Sequence, residues 1–304
     1  MEQENDELYM VSDHISLPIE IWQEILFRSP FLYQIRLRQI SKKFYSQLQI
    51  HDFYDIDKLY LDGMTNQILA NCYFLRHLNV GSNPKVSNIN HLTLLQKLNA
   101  SGSRCRINQQ GISQLNLIEL DASHNQKITD LNHMTKLQKL EASVDYGLTD
   151  HGISRLNLIE LNASRNPNIT NLNHMTKLQK LDASGSKCGI NQQGISQLNL
   201  IELDVSHNPN ITNLNHMTKL QKLYATYYSG LNDPGINQLN LIKLNVSNNP
   251  KITNLNHMTK LRKLNASGGF CGLTDLGINQ LNLIELNASG NPKITNLKDI
   301  LVIH

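Results

Sequence analysis

A short leucine motif that returns at nearly constant spacing constrains the fold of this chain more than any other feature. The pattern L-x-x-L-x-[LAV] occurs twelve times from residue 56 onward, first as IDKLYL and last as LIELNA. A unit of about 21 residues cannot bury its apolar face alone, so its stability must come from stacking on neighbouring units. The second leucines of the motif are Leu59, Leu78, Leu98, Leu120, Leu140, Leu161, Leu181, Leu203, Leu223, Leu244, Leu264 and Leu286.

This period is typical of leucine-rich repeats. Each unit has room for a strand of about three to five residues, two turns and a return segment, but not for a long helix. The predicted fold is α/β: a leucine-rich-repeat solenoid of about 12 repeats, with a parallel β-sheet on the concave face and short turns or 3₁₀ segments on the convex face. Two kinds of unit alternate, and a longer block that begins at Gly102 returns almost unchanged from Gly185, which indicates growth by duplication.

Asparagines recur eight residues after the first leucine of five motifs. They resemble the asparagine ladder of leucine-rich repeats, in which a side-chain amide bonds backbone groups of adjoining turns. On this interpretation Asn208→Ala leaves buried backbone groups unpaired and costs about 1 to 3 kcal/mol. The five residues are Asn125, Asn166, Asn208, Asn249 and Asn291.

Cysteine and histidine also recur in columns. Cys105, Cys188 and Cys271 stand at the same position of every fourth repeat, which places them about 19 Å from one another in a stacked array, too far for a disulfide. They are predicted to be reduced and buried, as in a cytosolic protein. Successive histidines of the column lie about 10 Å apart, too far to share one zinc ion. The histidine column consists of His91, His133, His174, His216 and His257.

Nothing in the sequence indicates an enzyme. Asp150, His151 and Ser154 have the residue types of a hydrolytic triad, but they occupy one short turn. No phosphate-binding loop, dinucleotide fingerprint or zinc pattern is present in the sequence. We therefore predict no catalytic residues, no cofactor and no metal.

Bulk charge and the first residues exclude several partners. A formal net charge of +3 over 304 residues is too small to indicate nucleic acid or an anionic membrane as the main partner. The opening segment MEQENDELYM is acidic and polar, unlike a secretion signal or transit peptide. We expect a cytoplasmic protein whose residues 1–12 are disordered.

Residues 13–50 are predicted to form a small helical module ahead of the solenoid at 51–304. Pro18 suits the first turn of a helix, and Ile21 and Ile25 lie one turn apart. Further along, apolar residues spaced three, four and four apart indicate a second amphipathic helix. These are Leu37, Ile40, Phe44 and Leu48.

The module resembles the F-box, whose pattern runs roughly L-P-x-E-[IL]-x-x-x-I-[LF], with a [VI]-[SC]-[KR] segment further along the chain. Its middle departs from the family, because Pro30 to Gln34 contains no acidic residue. The near-identical repeats are similar to F-box proteins of large amoeba-infecting viruses, which would place the protein in the host cytoplasm. The matching residues are Leu17, Pro18, Glu20, Ile21, Ile25, Leu26, Ile40, Ser41, Lys42 and Phe44.

F-box proteins with leucine-rich repeats are non-catalytic substrate receptors of Skp, cullin and F-box (SCF) ubiquitin ligases. The resemblance implies that the module docks to a Skp-type adaptor and its cullin ligase while the repeats bind a target protein. The alternative is a scaffold or regulatory protein with no ligase link, whose helical module caps the N-terminal end of the solenoid. The implied adaptor-binding residues are Leu17, Pro18, Ile21, Ile25, Leu26, Leu32 and Ile40.

The outward positions of the strands are where a solenoid is expected to bind its target. Lysine and glutamate alternate at one such position from Lys97 to Glu202, which indicates lateral ion pairs. The next position adds acids, so the middle of the concave face should be acidic and should attract a basic segment. Exposed tyrosines beside lysines are typical interface anchors and would meet a hydrophobic or acidic part of the target; the alternative is that these tyrosines only pack on the adjoining loop. The predicted target-binding residues are Glu119, Asp121, Glu141, Glu160, Asp182, Glu202, Asp204, Tyr224, Tyr227 and Tyr228.

Overall fold

The computed structural model describes residues 18–28, 51–54, 58–144, 147–295 and 301–302. The chain divides into two compact units, Met1–Asp121 and Ala122–His304. Leu17, Leu32 and Ile40, predicted to bind an adaptor, lie outside the described residues, as does the predicted second helix of the module.

In its described residues, the first unit contains short helices and four parallel strands that pair in chain order. Its helices are α1 (Ile19–Arg28), α2 (Lys58–Gly63) and α3 (Asn66–Leu69), and a 3₁₀ segment covers Gln110–Ile112. Its strands are β1 (Asp52–Phe53), β2 (His77–Asn79), β3 (Lys97–Asn99) and β4 (Glu119–Asp121).

The second unit continues the same plan with parallel strands that again pair in chain order. The strands are β5 (Lys139–Glu141), β6 (Glu160–Asn162), β7 (Lys180–Asp182), β8 (Glu202–Asp204), β9 (Lys222–Tyr224), β10 (Lys243–Asn245), β11 (Lys263–Asn265), β12 (Glu285–Asn287) and β13 (Leu301–Val302). The return segments contain 3₁₀ turns at His151–Ile153 and Gln193–Ile195 and the single helical turns α4 (Asp233–Ile236) and α5 (Asp275–Ile278).

Alternating burial within each three-residue strand explains the leucine motif. The middle leucine of every strand from β2 to β12 is at most 3% exposed, whereas its two neighbours face outward. The return segments contribute a second column of apolar residues, which includes Ile169, Ile211 and Ile252, each fully buried. The predicted parallel sheet, inward leucines and short 3₁₀ returns of a leucine-rich-repeat solenoid are therefore confirmed.

The first predicted strand is wrong. The described part of the motif IDKLYL, residues 58–61, is helical within Lys58–Gly63, and Asp52–Phe53 is the strand that pairs with β2. The position eight residues after Ile56 holds Met64 instead of asparagine, so this segment lacks the side chain that closes the turn after the other strands. Its leucine spacing fits one helical turn as well as it fits a strand.

The asparagine column forms the predicted ladder. Asn208, which is fully buried, donates from Nδ2 to the carbonyl oxygens of Ala183 (2.8 Å) and Ile190 (3.0 Å) in the preceding coil. Its Oδ1 accepts from the backbone N–H of Asn210 at 3.0 Å. Asn166, Asn249 and Asn291 donate in the same way. Asn83 at the equivalent position, which was not predicted to belong to the ladder, also does so.

The histidine and cysteine columns are structural. The Nε2 atoms of His174 and His216 each lie 3.3 Å from a backbone carbonyl oxygen of the preceding coil, so each ring nitrogen donates to it. Cys105, Cys188 and Cys271 are buried free thiols, as predicted. Glycine is required on the return side, because a Cβ at Gly194 would overlap the Thr170 carbonyl oxygen.

Candidate protein-binding surface

Lysine and glutamate side chains on the outward face of the strands pair laterally, as their alternation predicts. Lys180 Nζ lies 2.6 Å from Glu160 Oε1, and Lys222 Nζ lies 3.0 Å from Glu202 Oε2. The hydrogen bond from Lys180 is the main reason that the pKa of Glu160 is lowered. These pairs are partly exposed, so each contributes at most about 1 kcal/mol and serves mainly to hold neighbouring strands in register.

Six of the predicted target-binding residues surround one shallow cavity of about 240 Å³ on the strand face of the second unit. We call it the acidic pocket. Its remaining lining includes Lys180 and Asn162, so carboxylates outnumber cations. The six residues are Glu141, Glu160, Asp182, Glu202, Asp204 and Tyr224.

Two carboxylates of the acidic pocket form no salt bridge among the described residues, although the charge of His207 acts on Asp204. Asp182 and Asp204 are direct neighbours on β7 and β8, about 4.8 Å apart along the sheet, and neither forms an ion pair in the part of the chain that is described. Each accepts a backbone N–H two residues later, from Ser184 at 2.9 Å and from Ser206 at 2.8 Å. Burial is the main cause of the raised pKa of Asp204, and the charge of Asp182 raises it further.

The fold does not require negative charge at these two positions. In six other coils an asparagine stands at the same place, and its Oδ1 accepts the same backbone hydrogen bond at 2.9 to 3.1 Å. The aspartates therefore add charge without adding a structural contact. These asparagines are Asn79, Asn99, Asn162, Asn245, Asn265 and Asn287.

The three predicted tyrosines lie near one another but do not share one environment. Tyr224 is the register neighbour of Asp204, and Lys243 Nζ lies 5.3 Å from the centre of its ring. Tyr227 stacks on His207 with the ring centres 4.5 Å apart. Tyr228 is 78% exposed. Tyr224 thus belongs to the acidic pocket, whereas Tyr227 and Tyr228 lie in the turn that follows the strand.

The remaining predicted target residues, Glu119 and Asp121, lie on β4 of the first unit and are half-buried. Glu119 pairs with Lys97 at 3.3 Å. Sequence reasoning missed Phe270, which is 77% exposed. The signal was available, because the same turn position of the preceding duplicated block holds the basic residue Lys187.

Helix α1 exposes part of the predicted adaptor-binding set. Pro18 is exposed, and Ile21 and Ile25, one turn apart, are 47% and 38% exposed. Leu26 is fully buried, so its side chain packs inside the protein and is removed from the surface that a partner could reach. Among the described residues, Pro18, Ile21 and Ile25 are therefore the members of the predicted adaptor-binding set that reach solvent.

The described residues also bear on metal binding and on membrane insertion. Within them, no three or more histidine, cysteine, aspartate or glutamate side chains are grouped so that they could hold a metal ion. Their helices are all too short or too polar to cross a bilayer.

Comparison with known families and structures identifies both parts of the chain. The F-box domain model matches residues 15–56. Comparison with curated proteins gives no significant match.

Among solved structures, the chain is similar to one in the crystal structure of a TLR13–ssRNA13 complex, with a TM-score of 0.50 and 18% identity. That match covers 83% of this chain, which spans only 42% of the other. A yeast Rad7–Elc1 complex matches with a TM-score of 0.43 and 16% identity over 94% of each chain. The leucine-rich repeat domain of APL1B matches with a TM-score of 0.38 and 15% identity, over 89% of this chain and 83% of that domain. Residues 15–56 are thus similar to the F-box domain, and the parallel strands, inward leucines and short returns described above give the rest of the chain a leucine-rich-repeat fold.

Proposed function

We propose that this protein is the non-catalytic substrate-recognition subunit of an SCF-type E3 ubiquitin ligase and acts in the cytoplasm. Its F-box docks to a Skp-type adaptor, which links it to a cullin, and its repeats bind the protein to be ubiquitylated. The observation that carries the proposal is that one chain combines an F-box match at residues 15–56 with a repeat array whose strand face has carboxylates that the fold does not require.

The adaptor half rests on α1. Ile21 and Ile25 present an apolar edge to solvent within the F-box match, and exposed apolar groups of this kind are typical of partner surfaces. Burial of Leu26 on the other side of the helix fixes which edge faces outward.

Affinity capture with purified Skp adaptor tests this half. The whole chain should retain the adaptor, and a chain that lacks residues 1–50 should not. Ile21→Glu with Ile25→Glu should reduce capture at least about tenfold, because two carboxylates would be buried at the interface. Ile68→Glu is the matched control, since Ile68 is 52% exposed but lies outside the F-box match. Equal capture by the wild type and the double variant would refute the assignment of this face.

The target half rests on the acidic pocket. Asp182 and Asp204 place two unpaired carboxylates beside the ring of Tyr224, an arrangement that favours a lysine or arginine side chain by charge and by cation–π attraction. The target surface should therefore contain a basic segment. A hydrophobic or acidic part of the target would contact the tyrosines, and Tyr224→Ala with Tyr228→Ala should then weaken target capture.

A labelled octa-lysine peptide serves as the probe for the pocket. Asp182→Asn with Asp204→Asn should weaken its binding at low salt about threefold to tenfold, while the melting temperature does not fall, because asparagine makes the same turn hydrogen bond elsewhere. Glu285→Gln is the control, since Glu285 pairs with Lys263 on the same face outside the pocket. Unchanged binding in the double variant would refute the pocket as a cation site.

The burial of Leu26 also suits the alternative role of α1 as an N-terminal cap of a repeat scaffold. The two roles predict opposite results in adaptor capture. A chain that binds the octa-lysine peptide but not the adaptor would be a scaffold with no ligase link.

A further inference from the structure

A second cavity in the second unit differs from the acidic pocket in charge. It is a cleft of about 350 Å³ lined by Val144, Arg165, Gly185, Ser186, Lys187 and His207. We call it the basic cleft. It lies in the turns that follow β5 to β8. Successive coils are hydrogen-bonded to one another there, because the backbone N–H of Arg165 donates to the Ser184 carbonyl oxygen at 2.9 Å and that of Gly185 to the Ser206 carbonyl oxygen at 2.8 Å.

The absence of a side chain at Gly185 opens this cleft. Arg165, Gly185 and His207 occupy the same turn position in three successive coils, so Arg165 and His207 stand about 10 Å apart with Gly185 between them. The Arg165 side chain leans into the gap, since a Cβ placed on Gly185 would lie 2.5 Å from its Cγ and 3.5 Å from its Nε. The opposite wall is stiffened by the stacking of His207 on Tyr227.

The positive charges of the cleft are uncompensated. Arg165 and Lys187 are exposed, and within the described residues neither side chain makes an ion pair or a hydrogen bond. The lysines on the strand face nearby contrast with them, because Lys180 and Lys222 are each paired with a glutamate. Two cations therefore converge on a concave space that contains no carboxylate in its lining.

Backbone conformation does not account for these residue types. Arg165 and His207 have φ of 55° and 60°, a region in which glycine and asparagine are favoured and a long side chain gains nothing from the turn itself. In other coils this position is held by Ser82, Gly102, His124, Val144, Tyr227, Asn248 and Gly268, so the turn accepts many residue types. Arginine and histidine at Arg165 and His207 thus supply side-chain chemistry that the fold does not need.

We propose that the basic cleft binds an anionic group of the same protein target that places a basic segment in the acidic pocket. The two cavities adjoin, because Asp182 and Gly185 are three residues apart in one coil, as are Asp204 and His207. Three residues of extended chain span about 10 Å. The target segment therefore carries a cationic side chain and an anionic side chain about 10 Å apart, so that a purely basic or a purely acidic segment satisfies only one cavity.

A nucleic acid fits this surface less well than a peptide of mixed charge. Its phosphates could enter the basic cleft, but its polyanionic backbone would then pass close to Asp182 and Asp204, neither of which forms a salt bridge among the described residues. The net charge of +3 over the whole chain also provides little general attraction for a polyanion.

Binding of labelled eight-residue peptides to the full chain tests the proposal, which rests on the target half of the proposed function but needs no adaptor. The probes are EEEGGKKK and KKKGGEEE, compared with QQQGGKKK and KKKGGQQQ, in which glutamine replaces the acidic end. At low salt at least one glutamate peptide should bind about threefold to tenfold more tightly than its glutamine counterpart, and this ratio should decline as salt rises.

Two variants and one matched control locate the effect. Arg165→Gln and Lys187→Gln should each reduce the ratio, and their combination should bring it to one. Arg104→Gln should leave the ratio unchanged. Arg104 is the equivalent of Lys187 in the preceding duplicated block, but the equivalent of Arg165 there is Ser82, so that block has no second cation to form a basic cleft. The substitutions at Arg104, Arg165 and Lys187 change only exposed side chains, and equal melting temperatures verify that the variants are folded.

Three results would overturn the proposal. The first is a ratio of one in the wild type, and the second is a ratio that survives in the double variant. The third is tighter binding of an eight-nucleotide oligo(dT) than of any peptide, lost in the double variant, which would make the cleft a phosphate site for nucleic acid. Failure of the lysine-bearing glutamine peptides to bind at all would instead refute the acidic pocket.

Discussion

Replacement of Asn208 by alanine is the most direct test of how the coils are held together. The amide of Asn208 makes three hydrogen bonds, two from Nδ2 to carbonyl oxygens of the preceding coil and one from a backbone N–H to Oδ1. The residue is fully buried. Alanine would therefore leave two carbonyl oxygens and one N–H without a partner in a place that water cannot easily reach.

The cost follows from the number of groups left unpaired. A single buried polar group without a partner costs about 1 to 3 kcal/mol, and three such groups share one small space into which a water molecule could partly settle. We therefore expect Asn208→Ala to lower the free energy of unfolding by about 3 kcal/mol. Asn208→Asp should cost more, because it keeps the acceptor for the Asn210 N–H but directs a carboxylate at two carbonyl oxygens.

Equilibrium urea denaturation followed by circular dichroism measures these differences. Asn210→Ala is the matched control. Asn210 lies only two residues after Asn208, but its side chain is exposed, so its substitution should change the free energy of unfolding by less than about 0.5 kcal/mol. A loss of less than about 1 kcal/mol for Asn208→Ala would refute the reasoning, and so would an aspartate variant as stable as the alanine variant.

Three further predictions concern single side chains. Val144 is a β-branched residue with φ of 48°, so Val144→Gly should raise the free energy of unfolding by about 1 kcal/mol in the same urea assay; a loss would contradict the strain. Burial raises the pKa of the Cys188 thiol to about 11, so at pH 8 iodoacetamide should alkylate the less buried Cys72 first, as peptide mass spectrometry can show. Burial and the charge of Asp182 raise the pKa of Asp204 in the folded protein, so Asp204→Asn should raise the free energy of unfolding at pH 7. That gain should shrink as the pH falls through the folded pKa and vanish below the ordinary value, and urea titrations at pH 7 and pH 3 compare the two conditions.

The repeat architecture could be predicted because the same residue types return at the same position in every coil. Leu203 and Asn208 are each one member of a column, and the column leaves few alternatives for where the side chain points. The prediction failed at IDKLYL, where the leucine spacing persists but the position of the ladder asparagine holds Met64. The asparagine that closes the turn is thus as informative as the leucines that fill the core.

Helix α1 shows what sequence periodicity could not settle. Ile21 and Ile25 form one apolar pair and Trp22 and Leu26 another, and both pairs have helical spacing. Hydrophobicity alone assigns both to a buried or binding face. Only packing distinguishes them, since Leu26 is enclosed while Ile21 and Ile25 remain exposed.

The acidic pocket was predictable in composition, but the contacts within either charged cavity were not. The excess of acids on the strand face is visible in the sequence. The sequence does not show which acid each lysine pairs with: Lys180 contacts Glu160 at 2.6 Å, and Asp182 forms no ion pair among the described residues, because the pairing depends on side-chain reach. Arg165 and Lys187 come together because coils stack and Gly185 leaves space between them. No short sequence window contains that arrangement, since its members are separated by about one full repeat.

In a chain built by duplication, each coil is a control for its neighbours, and this separates residues that serve the fold from residues that serve binding. Where asparagine makes the turn hydrogen bond in six coils, aspartate at Asp182 and Asp204 adds only charge. Where glycine or asparagine suits a positive φ, Arg165 adds a guanidinium that makes no ion pair within the described residues. Where the equivalent turns hold arginine or lysine, Phe270 adds an aromatic ring that is 77% exposed. These departures lie in the turns and outward strand positions, never at the inward leucines, which is the distribution expected if the leucines are constrained by the core and the outward residues by a partner.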